Sequence, residues 1–231
     1  MVALSEPTFP LHGYRGAVTP PPSGEHPRGL TVAISREAGA RGGSIARRVG
    51  RLLGWQVYDQ DSLALLSRDD DARRELLADI PPAAVAWAER QTATATGRIG
   101  GADPGELVKV VFALAARGEV VIVGRGAGVL LPGGSTLNVR VIAPHAERVA
   151  YMAQWLRLSG EEAAAELATR DRVRAALHAA LTGKAASDLT QYDLILNSGR
   201  LGEAGCADLI VSAIKGKQLA EPPEVPNFDV V

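Results

Sequence analysis

The chain has 231 residues, 46% of them hydrophobic, with 26 acidic residues against 25 Lys plus Arg, enough for one large α/β domain with its own core. A net charge of −1 with only three Phe, four Tyr and three Trp argues against nucleic acid or anionic membrane as a partner. The single cysteine, Cys206, excludes an intramolecular disulfide, and neither an apolar run of about eighteen residues nor an export leader is visible, so the reading is a protein of the reducing cytoplasm.

Residues 1–29 carry Pro7, Pro10, Pro20, Pro21, Pro22 and Pro27 and read as a disordered, dispensable tail. The domain follows over 30–215. Short apolar runs at 30–34, 56–58, 120–123, 137–142 and 193–196 are five candidate strands. Val120-Val121-Ile122-Val123 is apolar on both faces, which a strand tolerates only where helices cover both sides of its sheet. The expected fold is therefore three-layer α/β. Helical patterns fall at 44–53, 63–79, 82–90, 104–117, 144–158, 161–181 and 203–214. Pro144 suits a first helical turn, and Ser159-Gly160-Glu161-Glu162 has capping-box spacing. The Thr-, Gly- and Ala-rich stretch 92–103 reads as a loop. From 216 onward Pro222, Pro223 and Pro226 predict a second tail, 216–231. Trp87 and Trp155 fall on apolar faces and read as core. His145 and His178 have no metal-ligand pattern around them.

The most informative segment runs Thr31-Val32-Ala33-Ile34-Ser35-Arg36-Glu37-Ala38-Gly39-Ala40-Arg41-Gly42-Gly43-Ser44-Ile45, a buried strand, a glycine-rich turn and an amphipathic helix. In such a turn Gly39, Ala40, Arg41, Gly42, Gly43 and Ser44 would aim successive N–H groups at one anion, with the helix dipole behind them. Ser44 would reach Mg²⁺. The pattern G-x-x-x-x-G-K-[ST] is not met, because no lysine stands between Ser35 and Arg47. Arg41, inside the glycine turn, is the expected substitute cation, and Arg36, just before the turn, is expected to point along the sheet edge. Similar turns also occur in α/β folds without binding anything.

Four blocks in order resemble the cytidylate-kinase-like family. They are residues 33–48, Leu53-Gly54-Trp55-Gln56-Val57-Tyr58-Asp59, Val121-Ile122-Val123-Gly124-Arg125-Gly126-Ala127, and Tyr192-Asp193-Leu194-Ile195-Leu196-Asn197 with Arg200-Leu201-Gly202. The resemblance implies a P-loop kinase fold with a five-stranded parallel sheet, ATP as phosphoryl donor, Mg²⁺, and a nucleoside monophosphate or related small acceptor. It also implies a helical lid, about 159–188, whose Arg170, Arg172 and Arg174 would close over the transferring group. Arg170 and Arg174 share a helix face and Arg172 is turned away. Arg125 matches an acceptor-binding arginine of the family and Asp59 a family position at a strand end. Val123 and Gly126 stand where true cytidylate kinases carry aspartates. These departures leave a second reading, a nucleotide-binding sensor or scaffold without transfer. A dinucleotide-binding reading of Gly124-x-Gly126-x-Gly128 lacks the full glycine pattern and its acidic partner. The phosphoryl acceptor and the oligomeric state are not fixed by sequence.

Overall fold

The computed structural model describes residues 29–78, 80–98 and 105–219. Five strands form one all-parallel sheet in the order β2-β3-β1-β4-β5, with β1 Thr31–Arg36, β2 Gln56–Tyr58, β3 Val120–Val123, β4 Thr136–Ile142 and β5 Leu194–Asn197. The central strand pairs Ala33 with Ile122 on one side and with Asn138 on the other. Alternation along the strands then builds two cores. Val32, Ile34, Val121, Val123, Val139 and Val141 pack toward α1 (Gly42–Leu53) and α9 (Ser198–Leu219). Ala33, Val120 and Ile122 face the buried α5 (Gly105–Arg117), whose Phe112 meets Trp87 edge-on at 5.9 Å between ring centroids. Helices on both faces explain why the strands read as unbroken apolar runs.

The remaining helices are α2 Gln60–Arg68, α3 Asp70–Ala78, α4 Pro82–Arg98, α6 Ala127–Leu130, α7 His145–Leu156 and α8 Gly160–Thr182. Several boundaries differ from the sequence reading. The single helix expected over 63–79 is two, because Asp69 is extended (φ −102, ψ 107) and its carboxylate caps the second helix, accepting from the N–H groups of Asp71 and Ala72 at 3.0 Å each. An aspartate offering its side chain to the backbone favours a helix start over a helix interior. The stretch expected to loop from 92 is helical to Arg98. Thr92 and Thr94 turn their hydroxyls onto the carbonyls of Ala88 and Arg90, 2.8 and 3.0 Å away, and so sit within α4. The rest of that segment, 99–103, lies outside the described residues. So do residues 1–28 and 220–231 of the expected tails. Residues 216–219 continue α9, held where Lys217 Nζ donates to Thr136 O at 2.8 Å. Among the described residues no helix is long and apolar enough to cross a membrane.

This topology sends the chain from β1 to β2 and β3 on one side and to β4 and β5 on the other. The loops after β1, β3 and β4 therefore meet at the carboxyl edge of the sheet, the place where open α/β sheets bind ligands.

Candidate functional site

β1 ends in the glycine loop, and α1 begins at Gly42. Arg41 is the N-cap, at φ 58, and gives no side-chain cap. The first N–H groups of the helix are thus left for something in the pocket before it. That pocket, about 400 Å³, is lined by loop residues including Gly39, Gly42, Gly43 and Ser44, and beyond them by Asp59, Arg170 and Arg174. Gly39 has φ 73 and lies against α7: a Cβ there would come within 2.6 Å of Arg148 O. Only glycine fits that turn.

A second pocket, about 260 Å³, opens beside the first on the other face of the sheet. There Ser35, Asn138 and Arg140 replace the apolar residues that fill the same face lower down, and Arg125, His178 and Tyr192 complete the wall. Arg36, Glu37, Gln60 and Arg174 line both pockets.

Arg36 is the centre of this arrangement. Its stem crosses the start of α1, where a Cβ on Gly42 would lie 2.8 Å from Arg36 Cβ and 2.9 Å from Cγ. Its guanidinium lies against Gly124, at φ 83, where a side chain would collide with Nη1. It thus runs along the carboxyl edge of the sheet, as the sequence reading expects, and in doing so passes over the start of α1 and lines both pockets. Burial, then the nearby charges of Arg174 and Arg125, pull its pKa down to about 10, against a smaller opposite pull from Asp59. It still holds its proton at neutral pH. Arg41, the residue expected to supply the loop cation, sits at the rim. Its Cζ is 5.1 Å from the Tyr151 ring centroid and its Nη1 is 3.9 Å from Glu203 Oε1.

The other sequence candidates divide. Ser44 lines the loop pocket and accepts a long contact, 3.4 Å, from Arg47 Nη2. Asp59 lines it too, as the N-cap of α2 in a capping box with Ser62. Burial pushes the Asp59 carboxyl up, but the bonds from Ser62 and Asp61 and the charge of Arg47 outweigh it and hold the group below the usual carboxylate range. Arg125 is in the second pocket with its backbone in the left-handed region (φ 55), and its Nε is buried without a partner. Strain of that kind concentrates at ligand sites. Arg174 Nη1 is also buried without a partner, and burial lowers its pKa. Arg170 faces the loop pocket, held by Glu166 Oε1 at 2.7 Å. Arg172 is exposed and lines neither pocket.

Two features escape the sequence reading. One is a polar tie between loop, α7 and α8: Asp171 Oδ1 accepts from Ala38 N at 2.7 Å, and Asp171 Oδ2 accepts from Arg148 Nη1 at 2.6 Å. The other is Trp155, expected in the core but 61% exposed, because the α7 face it occupies borders the loop pocket rather than the sheet. Among the described residues no group of three His, Cys, Asp or Glu side chains could cage a metal.

Gly42→Val is expected to displace Arg36 and close the loop to anions, so that affinity for ATP with Mg²⁺, read by calorimetry, falls at least tenfold while the far-UV circular dichroism stays native. Unaltered affinity in a folded protein would remove the loop from the binding site.

Among structures, an uncharacterized protein from Eubacterium ventriosum aligns at 18% identity over 80% of this chain and 98% of its own, with a TM-score of 0.57. TT1252 from Thermus thermophilus aligns at 19% identity over 85% and 100%, TM-score 0.48. A shikimate kinase from Acinetobacter baumannii, solved with shikimate, aligns at 13% over 84% and 97%, TM-score 0.44. No curated protein matches the chain. The model of the cytidylate kinase-like family matches residues 31–200, most of the chain and all five strands. The chain belongs to the cytidylate kinase-like family and is a kinase-like, nucleotide-binding protein with a P-loop kinase fold.

Proposed function

We propose that this protein moves the terminal phosphoryl group of ATP to a nucleoside monophosphate or related small acceptor, at the junction of the two pockets. The observation that carries this reading is the convergence of Arg36, Arg125 and Arg174, for which no carboxylate lies at ion-pair distance among the described residues. Burial and the charges of Arg174 and Arg125 disfavour the Arg36 cation, a cost that an anion bound beside it would offset. Phosphoryl transfer supplies that anion, since charge on the equatorial oxygens of the transferring group is what such a site must stabilise.

In this reading the loop Gly39, Ala40, Arg41, Gly42, Gly43 and Ser44 holds the donor phosphates, with Arg36 replacing the absent lysine. Arg170 and Arg174 approach from α8, and Arg125 with Asp59 holds the acceptor. An acceptor phosphate oxygen attacks the terminal phosphorus, the bond to the bridging oxygen breaks, and ADP leaves with that electron pair. An ionised phosphate needs no base for this step. Mg²⁺ would be held by Ser44, whose hydroxyl is a hard oxygen donor in the loop pocket, and when bound would neutralise phosphate charge. A lone buried thiol, Cys206, accords with the reducing cytoplasm as its location.

Val123 favours a second reading. It is fully buried at the loop pocket where a carboxylate is expected, which suits a nucleotide sensor that does not turn over. A coupled assay of ATP consumption across CMP, dCMP, UMP, AMP and GMP, with ATP·Mg²⁺ binding measured in parallel, separates the two. Turnover on one acceptor supports transfer. Binding without turnover on any of them supports the sensor.

A further inference from the structure

The loop pocket has an aromatic wall that phosphate chemistry does not use. Tyr151 and Trp155 stand one turn apart on α7, and both line the pocket together with Met152 between them. Each ring carries a guanidinium from a different element. Arg41, from the start of α1, has its Cζ 5.1 Å from the Tyr151 centroid, and Arg170, from α8, lies 5.8 Å from that of Trp155. Met152 is buried and anchors this turn against α8, so the two rings are presented on a fixed helix. Trp155 nevertheless remains 61% exposed. A large ring held in water, capped only by a cation at its face, keeps apolar surface available for another flat group. The cations are themselves tied back, Arg41 loosely to Glu203 and Arg170 firmly to Glu166.

We propose that Tyr151 and Trp155 are the stacking platform for the base of the donor nucleotide, with the Arg41 guanidinium closing on its other face. The proposal rests on the loop being the phosphate cradle, since it is the cradle that delivers a base to this wall. Bases stack on aromatic faces and on guanidinium planes alike, and the wall offers both. Arg41 then acts at the base end of the donor rather than at the transferring phosphoryl, which accounts for its position at the rim.

The test compares two ligands of the full chain that share a triphosphate and differ in the base: ATP·Mg²⁺ and inorganic tripolyphosphate·Mg²⁺. Trp155→Ala and Tyr151→Ala are each expected to weaken ATP on the order of tenfold and to leave tripolyphosphate unchanged. Trp155→Phe keeps a ring and should retain most of the affinity. ATP, but not tripolyphosphate, should change the tryptophan emission, and the change should vanish in Trp155→Phe although Trp55 and Trp87 remain. Trp155 is exposed, so its variants do not threaten the fold. The proposal is overturned if the alanine variants bind ATP as the wild type does, or if they lose ATP and tripolyphosphate equally. A wild-type chain that binds tripolyphosphate and ATP equally well sinks the platform and spares the cradle. One that binds neither sinks both.

Discussion

Arg36→Ala is expected to lower the rate of phosphoryl transfer by on the order of a hundredfold to a thousandfold, the usual loss when a preorganised charge is removed from a developing transition state. Arg41→Ala should cost far less at the chemical step and show mainly in donor affinity. The contrast follows from position. Arg36 lines both pockets and crosses the start of α1, whereas Arg41 lies over Tyr151 at the rim. Arg36→Lys keeps the charge and loses the planar fork, so its residual rate reports how much of the effect is bidentate geometry. The same substitution should move stability the other way. In the ligand-free protein burial and the charges of Arg174 and Arg125 disfavour the Arg36 cation, as its depressed pKa of about 10 records. Removing it relieves that repulsion, so Arg36→Ala is expected to melt no lower than the wild type, while phosphate should stabilise the wild type and not the variant. A crippled Arg41→Ala beside an active Arg36→Ala would reverse the assignment.

Arg36 also shows where the sequence could have said more. Side chains alternate across a strand, so Val32, Ile34 and Arg36 share the face that α1 covers. That parity alone aims Arg36 at the glycine turn. The elements that could be read directly are those whose signal is local: the β-branched runs, the glycine loop, and the Ser159 capping box, in which Glu162 Oε2 accepts from Ser159 N at 2.8 Å. The family blocks were legible because they fall in order, and residues 31–200 match that family. Features decided by competition between near-equal local options were not. Asp69 could serve as helix interior or as cap, and its neighbours at Asp71 and Ala72 settled it. Lys217 could sit in a tail or reach Thr136 across 81 positions of chain. Trp155 has the spacing of a core residue, but the element that meets its ring brings the Arg170 guanidinium rather than an apolar side chain.

Arg148→Ala is expected to cost about 3 kcal/mol of stability, the low end for breaking a buried ion pair, and to lower the melting temperature by roughly 6–12 °C for a domain of this size. The Arg148 side chain is 11% exposed and its guanidinium holds three segments together. Nη1 donates to Asp171 Oδ2 at 2.6 Å on α8 and to Ala38 O at 3.3 Å in the loop, and Nε faces Glu37 Oε2 at 3.5 Å. Alanine would leave Asp171 and Glu37 without their ion-pair partner, although Asp171 would still feel the charge of Arg174. Their side chains are 31% and 27% exposed, so water screens part of the loss, which sets the estimate at the low end. Asp171→Asn separates charge from tether. It keeps an oxygen for the Ala38 N–H bond, 2.7 Å long in the wild type, while losing the ion pair, so its destabilisation should be the smaller of the two. Asp171→Ala removes the tether as well and frees the start of the Arg170–Arg174 turn from the loop. In that variant ATP affinity should fall further than in Asp171→Asn, at temperatures well below either melt. If Arg148→Ala melts within about 2 °C of the wild type, the tie holds no structure, and α8 keeps its place by the packing of Ala163 and Leu167 against Ala38, Met152 and the apolar residues around them.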